Sequence, residues 1–267
     1  MTEQVILVLG ATGSTGRRVT ESLRASGHTV RAASRSGETR FDWSAPDTWE
    51  AAVSGASALY LMAPDGTPVD PAFVSLAVER GVERVVLLSS GGIETMGDER
   101  LLAAERTVRG CGAEWTILRP SWFDQNFDEG FLHPAIMSGE VLLPLGDVGQ
   151  AFVDAGDIAA VAAEALTGDG HAGRTYEITG PRSLSFEEAV RIISQASGRE
   201  VRYLGGDEDY IAANGFSGDS IHAAKTFADL RALGDQPVGE TVSQVAGRPP
   251  KPFETYVAEA AAGGAWR

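Results

Sequence analysis

The strongest constraint on the fold is a run of five apolar residues that leads directly into three glycines spaced three apart. The run Val5–Leu9 contains only valine, isoleucine and leucine, which is typical of a strand buried on both faces of a sheet. Gly10 allows a tight turn after the strand, Gly13 lets a ligand approach the backbone, and Gly16 lets the next helix pack close to the strand. This order of strand, turn and helix predicts a pyrophosphate site at the N-terminus of the helix.

The glycine segment is therefore predicted to bind a dinucleotide. The alternative is a glycine-rich loop in an unrelated α/β protein, but the position directly after the first strand favours the dinucleotide. The residues predicted to contact the phosphates are Gly10, Thr12, Gly13, Ser14, Thr15 and Gly16.

The end of the second predicted strand indicates which dinucleotide binds. Thr29–Ser34 is followed by Arg35, and no acidic residue stands there to bind the ribose 2′-hydroxyl of NAD. An arginine between two hydroxyl side chains suits a 2′-phosphate instead, so Ser34 and Arg35 predict NADPH/NADP⁺ as the cofactor. The alternative is a solvated arginine in a turn.

Composition limits the kinds of partner. The 267 residues carry a formal net charge of −15, which argues against nucleic acid and anionic membranes and leaves a small-molecule substrate as the expected partner. Cys111 is the only cysteine, so no internal disulfide can form and a cytoplasmic location is expected. The four histidines are scattered and predict no metal site. The chain shows no secretory leader or membrane span, and a monomer or homodimer is expected.

Apolar runs alternate with helical patterns as far as residue 120, which predicts the α/β class with a Rossmann-type doubly wound parallel sheet. We expect residues 1–127, with 147–180 returning to them, to form the NADP-binding Rossmann domain. Residues 128–146 and 181–267 are expected to form a smaller C-terminal α/β region that binds substrate.

The pattern is harder to interpret after residue 127. Gly139–Leu145 is expected to be a hairpin arm or a short strand, and Asp157 is expected to cap a helix that ends near Leu166. Ser185 and Glu188 predict a capping box. Two helices are expected beyond residue 205.

Ligands of open parallel sheets bind at the carboxyl ends of the strands, so the residues at those ends are further candidates. Asp42 and Trp43 follow the third strand and are placed to border the adenine, although a helix cap and a packed aromatic ring explain them equally well. The other predicted cofactor contacts are Met62, Ala63, Pro64, Ser89 and Glu105.

The common proton donor of nicotinamide-dependent reductases is missing. It is a tyrosine whose pKa is lowered by a lysine four residues later, and none of the five tyrosines here is followed by such a lysine. In the helix before the sixth strand, where the pair is expected, the chain has Leu101 and Glu105. A Tyr–Lys proton relay is therefore not predicted.

Other side chains are candidates for the chemistry. Ser89 and Ser90 end the fifth strand and are predicted to bond a ribose, a nicotinamide or a substrate oxygen. His133 is a possible proton donor, although a lone histidine is more often a surface or cap residue. An aromatic wall for a bulky substrate is predicted, with ordinary core packing as the alternative for each ring; its members are Trp122, Phe123, Phe127 and Phe131.

Several segments together resemble one known family. They are Gly10–Gly16, Ser34–Ser36, Thr116–Pro120 with Phe123 and Asn126, and Phe152–Ala159. The family is the NmrA-like branch of the atypical short-chain dehydrogenases/reductases. Arg40–Trp43, Ser121–Phe127 and Tyr176–Pro181 are similar to the ergot-alkaloid (agroclavine/festuclavine) dehydrogenases and their bacterial relatives. The resemblance covers about residues 4–204.

The resemblance implies NADP(H) binding through the glycine segment and Arg35, with Pro120 and Asn126 beside the nicotinamide, where Asn126 is also a catalytic candidate. Its members include iminium, ketone and quinone reductases and NADP(H)-binding regulators without turnover. We expect an NADPH-dependent reductase that transfers a hydride to a C=O or C=N (iminium) group of a bulky secondary metabolite, such as an aromatic polyketide ketone or an alkaloid. The alternatives are an NAD(P)H quinone reductase and a non-catalytic NADP(H)-sensing regulator.

Overall fold

The computed structural model describes residues 4–215 and 218–267, and its strands form a large sheet and a small one. The strands are β1 (Val5–Leu9), β2 (Thr29–Ser34), β3 (Thr39–Arg40), β4 (Ala58–Leu61), β5 (Arg84–Leu88), β6 (Glu114–Pro120), β7 (Glu140–Leu142), β8 (Arg174–Ile178) and β9 (Arg202–Leu204).

The α-helices lie mostly between the strands. They are α1 (Ser14–Ala25), α2 (Trp49–Val53), α3 (Pro71–Glu79), α4 (Ile93–Met96), α5 (Glu99–Arg109), α6 (His133–Ser138), α7 (Ala155–Thr167), α8 (Phe186–Ser197), α9 (Asp207–Asn214), α10 (Gly218–Ala232), α11 (Thr241–Ala246) and α12 (Phe253–Gly263). Within the two described ranges, no helix has both the length and the hydropathy that a membrane crossing requires.

The large sheet confirms the predicted Rossmann-type fold. Its order is β3-β2-β1-β4-β5-β6-β8, and all of its pairs are parallel. The strand β1 lies inside the sheet, where Leu7 is level with Arg31 of β2 on one side and Leu59 of β4 on the other. Because the strand order reverses beside β1, the glycine turn lies at the switch point where such sheets bind ligands.

Helices cover both faces of this sheet because consecutive strand residues point to opposite sides. Leu7 and Leu9 of β1 pack in one apolar cluster with Phe73 of α3. Ile6 and Val8 pack in a second cluster that includes residues of α1, α7 and α11. The apolar run of β1 is thus explained by burial on both faces.

A third apolar cluster lies beside the large sheet and joins α6, α8, α12 and the small sheet of β7 and β9. Its centre is aromatic: the ring centroid of Phe186 lies 4.9 Å from that of Phe152 and 5.9 Å from that of Phe127. Phe127 and Phe152 fall inside the ranges assigned to the Rossmann domain from the sequence, yet both pack in this cluster. The domain division itself stays a prediction.

The region after residue 127 differs from several expectations. The segment at Gly139–Leu145 contains the short strand β7, as one of the two alternatives predicted; because β7 pairs with β9 in parallel, the other alternative, a hairpin arm, is wrong. Asp154 rather than Asp157 caps α7, because its Oδ1 accepts a hydrogen bond from the Gly156 N–H at 2.8 Å. The expectation of two helices beyond residue 205 is also wrong, since α9 to α12 lie there. The helices α9 and α10 carry almost no apolar periodicity from which a sequence pattern can predict them.

A buried carboxyl in the turn after β6 was not anticipated. Asp124 is 0% exposed, and neither of its carboxylate oxygens has a hydrogen-bond partner among the described residues. Burial raises the pKa of Asp124 well above its ordinary value, and the neighbouring charges of Asp154 and Asp157 raise it further. Asp124 therefore keeps its proton in the folded protein at pH values where the unfolded chain releases it.

Replacing Asp124 with Asn should remove a pH-dependent loss of stability. Because the folded state binds this proton more tightly than the unfolded state, the free energy of unfolding of the wild type falls as the pH rises above about 4 toward the raised pKa. The Asp124→Asn variant lacks this fall, so its melting temperature relative to wild type should increase by about 2–6 °C between pH 5 and pH 8. Thermal unfolding at both pH values measures this, with Asp47→Asn at an exposed carboxyl as the control. A relative melting temperature that is equal at the two pH values would contradict the buried, protonated Asp124.

Candidate functional site

The glycine turn has the geometry that close packing of α1 on β1 requires. Gly10 has φ of +64°, a conformation that side chains other than glycine rarely adopt. The N–H of Gly13 donates to the carbonyl of Gly10 at 2.8 Å, which closes the turn. A Cβ atom on Gly16 would lie 2.2 Å from the carbonyl oxygen of Gly10. The roles predicted for Gly10 and Gly16 in the turn therefore agree with the backbone.

The N-terminus of α1 is open to an anion. Its cap residue is Gly13, which has no side chain to accept from the first N–H groups, and the first turn contains no acidic residue. Thr12 and Gly13 are exposed at this end, whereas Thr15 and Gly16 are buried. A phosphate group suits such a helix end, because unpaired N–H groups and the helix dipole both attract negative charge. This helix end, called the phosphate cradle below, therefore fits the pyrophosphate of a dinucleotide.

The end of β2 carries two arginines rather than one. Arg35 is exposed, and Arg40 of β3 is also exposed and lies level with Ser34. Neither guanidinium has a hydrogen bond or an ion pair to another described residue. Both arginines contribute to the lowered pKa of Asp42, whose main cause is hydrogen bonding from Ser44. Arg40 could not be identified from the sequence, because only the pairing of β3 with β2 brings it beside Ser34.

Asp42 and Trp43 have structural contacts of their own. The Oδ1 atom of Asp42 accepts hydrogen bonds from the N–H of Ser44 at 2.9 Å and from its hydroxyl at 2.8 Å. The indole N–H of Trp43 donates to the carbonyl of Met62 at 3.2 Å, and its ring packs at 5.2 Å from that of Phe73. These contacts fit the alternative of a local turn and a packed ring, so the adenine contacts stay predictions.

The end of β4 lies beside the glycine turn at the carboxyl edge of the large sheet, and this edge is called the cleft below. The Met62 side chain occupies the space in front of Gly10, where a Cβ on that glycine would lie 2.4 Å from the Met62 sulfur. Ala63 is half-buried and Pro64 is exposed. Ala63 and Pro64 are therefore accessible next to the glycine turn, as a contact with the cofactor requires.

A buried ion pair lies under the end of β5. The side chain of Glu105 on α5 is 0% exposed and accepts two hydrogen bonds from Arg119 of β6, each at 2.8 Å. The hydroxyl of Ser89 donates to the same carboxylate at 2.7 Å, and Arg109 lies 2.9 Å away. The predicted contact between Glu105 and a cofactor is wrong, because a fully buried carboxylate held by these partners has no surface for a ligand.

The charge state of Glu105 follows from these partners. Burial raises the pKa of Glu105, but hydrogen bonds from Arg119 and Ser89 and the charges of both arginines outweigh it, so the pKa lies below its usual value. The hydrogen bonds that Arg119 donates to Glu105 in turn raise the pKa of Arg119. The pair is therefore ionised at neutral pH.

Two further carboxyls meet the same arginine. Arg119 donates to Glu94 at 2.8 Å and lies 3.6 Å from Glu177 of β8. Burial raises the pKa of Glu177, although Arg119 opposes the shift. The sequence could not reveal this group, because its members come from four separate elements.

The loop after β6 supplies the apolar side of the cleft. Trp122 and Phe123 are half-buried, and Phe131 is 59% exposed. The ring centroids of Trp122 and Phe131 are 6.1 Å apart. The N–H of Gly91 donates to the carbonyl of Pro120 at 2.9 Å, which places the start of this loop beside the end of β5. Trp122, Phe123 and Phe131 are thus available to an apolar ligand.

Other predicted members of this loop have different positions. Phe127 is 0% exposed inside the third apolar cluster, so its role in a substrate wall is wrong. The Nε2–H of His133 donates to the carbonyl of Ala265 at 2.9 Å and thereby ties α6 to the C-terminal segment. Asn126 is half-buried, and its backbone bonds to Phe123 and Leu132 keep the turn closed. Catalysis by His133 or Asn126 stays a prediction.

The tyrosines lie away from the glycine turn or are deeply buried. Burial raises the pKa of Tyr60 on β4, which is 0% exposed. Tyr203 donates to the carbonyl of Leu143, and burial raises its pKa to about 12. Tyr176 pairs with His171, which precedes β8 at the opposite edge of the sheet. Tyr210 packs on Phe227 of α10, and Tyr256 is 3% exposed.

Comparison with known proteins supports the binding of a nicotinamide dinucleotide. A protein family described as NAD(P)H-binding matches residues 10–169. A (4-alkanoyl-5-oxo-2,5-dihydrofuran-3-yl)methyl phosphate reductase of Streptomyces griseus is 33% identical, over 96% of this chain and 97% of its own. Festuclavine synthase I of Penicillium roqueforti is 30% identical, over 94% of this chain and 96% of its own. The similarity therefore extends beyond residues 4–204.

The fold is also found in solved structures. An NADPH-dependent quinone oxidoreductase of Escherichia coli, crystallised with NADPH, superposes with a TM-score of 0.73. It is 21% identical, and the match covers 96% of this chain and 99% of that one. At this identity the likeness shows a shared fold.

The three glycines should respond differently to alanine. Gly16→Ala should lower the melting temperature by about 3–10 °C, because its Cβ would overlap the carbonyl oxygen of Gly10. Gly13→Ala should lower the melting temperature much less than Gly16→Ala, because its Cβ meets only that oxygen, at 3.3 Å, and a shift of a few tenths of an ångström relieves the contact. It should instead weaken NADPH binding about tenfold or more by filling the phosphate cradle. Calorimetry and cofactor titration measure both effects, and wild-type affinity in a folded Gly13→Ala variant would contradict the cradle.

Proposed function

The chain belongs to the NAD(P)H-binding family whose model matches residues 10–169, and on this premise we propose that it is an NADPH-dependent reductase acting on a C=O or C=N (iminium) group of a bulky secondary metabolite. The observation that carries the proposal is the uncapped N-terminus of α1 at the switch point of the sheet, beside unpaired arginines and an apolar loop. When bound, the reduced cofactor supplies a hydride to the electrophilic carbon. The related reductase and festuclavine synthase also favour this assignment.

The residues divide into three roles. Backbone N–H groups of Ser14 and Thr15 bind the pyrophosphate, and Arg35 with Arg40 binds the 2′-phosphate. Trp122 and the neighbouring loop rings hold an aromatic or polycyclic substrate against the nicotinamide and exclude water. This arrangement contributes orientation rather than a strong acid.

The absence of a Tyr–Lys pair favours substrates that need little acid help. An iminium carbon is already cationic, so the electron pair of the C=N bond passes to nitrogen as the hydride arrives and no proton is required. A ketone beside a phenol receives its proton from the substrate itself or from water.

A second candidate is an NADP(H)-sensing regulator. The burial of Tyr60, which raises the pKa of its phenol, favours the regulator, because cofactor binding alone needs no proton donor. Incubation with NADPH and panels of iminium compounds, quinones and aromatic polyketide ketones separates the two. Loss of the nicotinamide absorbance supports the reductase, whereas tight NADPH binding without turnover of any panel supports the sensor.

Cofactor preference should depend on the two unpaired arginines. Arg35→Ala should weaken NADPH binding by about 1.5–3 kcal/mol, the value of a charge-assisted hydrogen bond, and leave NADH binding nearly unchanged. Arg40→Ala should act in the same direction, because Arg40 lies level with Ser34 at the same strand end. Fluorescence titration with both cofactors measures the effect. An equal loss for NADPH and NADH would show that the arginines act on the fold rather than on the 2′-phosphate.

Turnover should not depend on a tyrosine. Single Tyr→Phe changes at positions 60, 176, 203, 210 and 256 should each lower kcat less than about tenfold, because these phenols lie away from the glycine turn or are buried with raised pKa values. Steady-state kinetics on any accepted substrate measures this, with circular dichroism to verify folding. A loss of about 10³-fold, equivalent to about 4 kcal/mol, in one folded variant would reveal a tyrosine proton donor.

A further inference from the structure

The loop after β6 contains a compact turn at residues 126–133, called the aromatic turn below, which carries the exposed ring of Phe131. The N–H of Leu132 donates to the carbonyl of Asn126 at 3.0 Å, which closes the turn. A Cβ on Gly130 would lie 2.7 Å from the Cα of Asn126, so the backbone of the turn packs directly on itself. Because close packing transmits displacements, the turn moves as one unit and Phe131 moves with it.

The start of the aromatic turn is fixed to the core. Phe127 is 0% exposed, and its carbonyl accepts a hydrogen bond from the buried indole N–H of Trp266 at 2.9 Å. Phe131 lacks this support, because its ring is 59% exposed and packs on that of Trp122 with the centroids 6.1 Å apart. The position of Phe131 therefore depends on the other contacts of the turn.

One of these contacts is ionic and reaches a distant part of the chain. The carboxylate of Glu129 accepts a hydrogen bond from Arg17 at 2.7 Å and another from Arg18 at 2.8 Å. Both arginines lie on α1, and the three side chains are 26%, 37% and 23% exposed, in that order. Two guanidinium groups on one carboxylate restrict its orientation more than a single pair does.

Arg18 connects this ionic contact to the phosphate cradle. Its Nη1 donates to the carbonyl of Ser14 at 2.8 Å and to the Ser14 hydroxyl at 3.1 Å, while its Nη2 donates to Glu129. Ser14 is the first residue of α1. Because a guanidinium is planar and rigid, this one side chain fixes the distance between the cradle and the aromatic turn.

From this geometry we infer that Glu129 is a positioning residue: through Arg17 and Arg18 it holds the aromatic turn in a fixed place relative to the phosphate cradle, and thereby holds the ring of Phe131 against the substrate. A partly exposed ion pair adds little to the stability of a fold, so the effect of Glu129 is on the placement of the turn. The inference rests on the proposed reductase function.

The first test needs no substrate. Backbone amides of the aromatic turn, such as that of Leu132, should exchange with deuterium about 5- to 20-fold faster in Glu129→Gln than in wild type, while the melting temperature changes by less than about 2 °C. Glu50→Gln is the matched control, because it removes an ion pair with Arg80 at 2.5 Å that joins α2 to the end of α3. Unchanged exchange of the aromatic turn in Glu129→Gln would overturn the inference.

The second test measures whether Glu129 acts through Phe131. On an accepted bulky substrate, Phe131→Ala should raise KM about tenfold and Glu129→Gln about fivefold, with little change in kcat or in the dissociation constant of NADP⁺, because the ring contributes binding rather than chemistry. In a Glu129→Gln background, Phe131→Ala should raise KM by no more than about a further twofold, since the ring is already displaced.

The same control applies to this double change. In the Glu50→Gln background, Phe131→Ala should keep its full tenfold effect on KM. A full effect of Phe131→Ala in the Glu129→Gln background would show that Glu129 does not act through the ring. If Glu129→Gln does not fold, Arg17→Gln replaces it with the same expected directions, because it leaves the bonds of Arg18 in place.

The outcomes separate this inference from the proposed function. Turnover by wild type with an unchanged KM in Glu129→Gln refutes the inference alone. Tight NADPH binding without turnover of any panel refutes the reductase, and with it the role of Glu129 in holding a substrate. Faster exchange of the aromatic turn together with the raised KM supports the inference.

Discussion

The contact between the carbonyl of Gly10 and the Cα of Gly16 is the constraint on which the cleft depends. No side chain fits between them, since even a Cβ would come within 2.2 Å of the oxygen. This contact places the start of α1 directly after the end of β1. The strand β1 lies inside the sheet, next to the point where the strand order reverses. The free N–H groups at the start of α1 therefore lie at the carboxyl edge of the large sheet, where β2, β4 and β5 also end.

Positive charge is concentrated near the glycine turn, although the whole chain has an excess of acidic residues. The formal net charge is −15, yet Arg35 and Arg40, which pair with none of the described residues, lie at the neighbouring ends of β2 and β3, close to the uncapped start of α1. The ion pair of Glu105 and Arg119 is the opposite case, because both partners are taken out of water. Such a pair contributes little net stability, since desolvation offsets most of the attraction. Its contribution here is geometric, because the carboxylate of Glu105 connects α5 to Arg119 of β6 and to the hydroxyl of Ser89.

Local signals were predictable from the sequence and long-range ones were not. The run Val5–Leu9, the glycine spacing and Arg35 lie within one βαβ unit, so their order alone predicts the cofactor end of the cleft. Phe127 could not be separated from Phe131 in this way, because both are apolar rings in one loop and only the packing against α8 and α12 buries the first. Glu105 likewise resembles any helix carboxylate until β6 brings Arg119 to it.

The ionisable groups near the cleft determine whether it can supply a proton. The carboxylate nearest to the end of β5 is ionised by its arginines, and Tyr60 is buried with a raised pKa. Neither group is poised to exchange a proton at neutral pH, because transfer is most effective when the pKa lies near the operating pH. Orientation of the acceptor carbon against the nicotinamide can contribute about 7–11 kcal/mol, far more than one serine hydrogen bond at about 1–3 kcal/mol. Under the proposed reductase function, the choice of substrate therefore depends mainly on the shape of the loop that carries Trp122 and Phe131, and on whether the acceptor brings its own charge or proton.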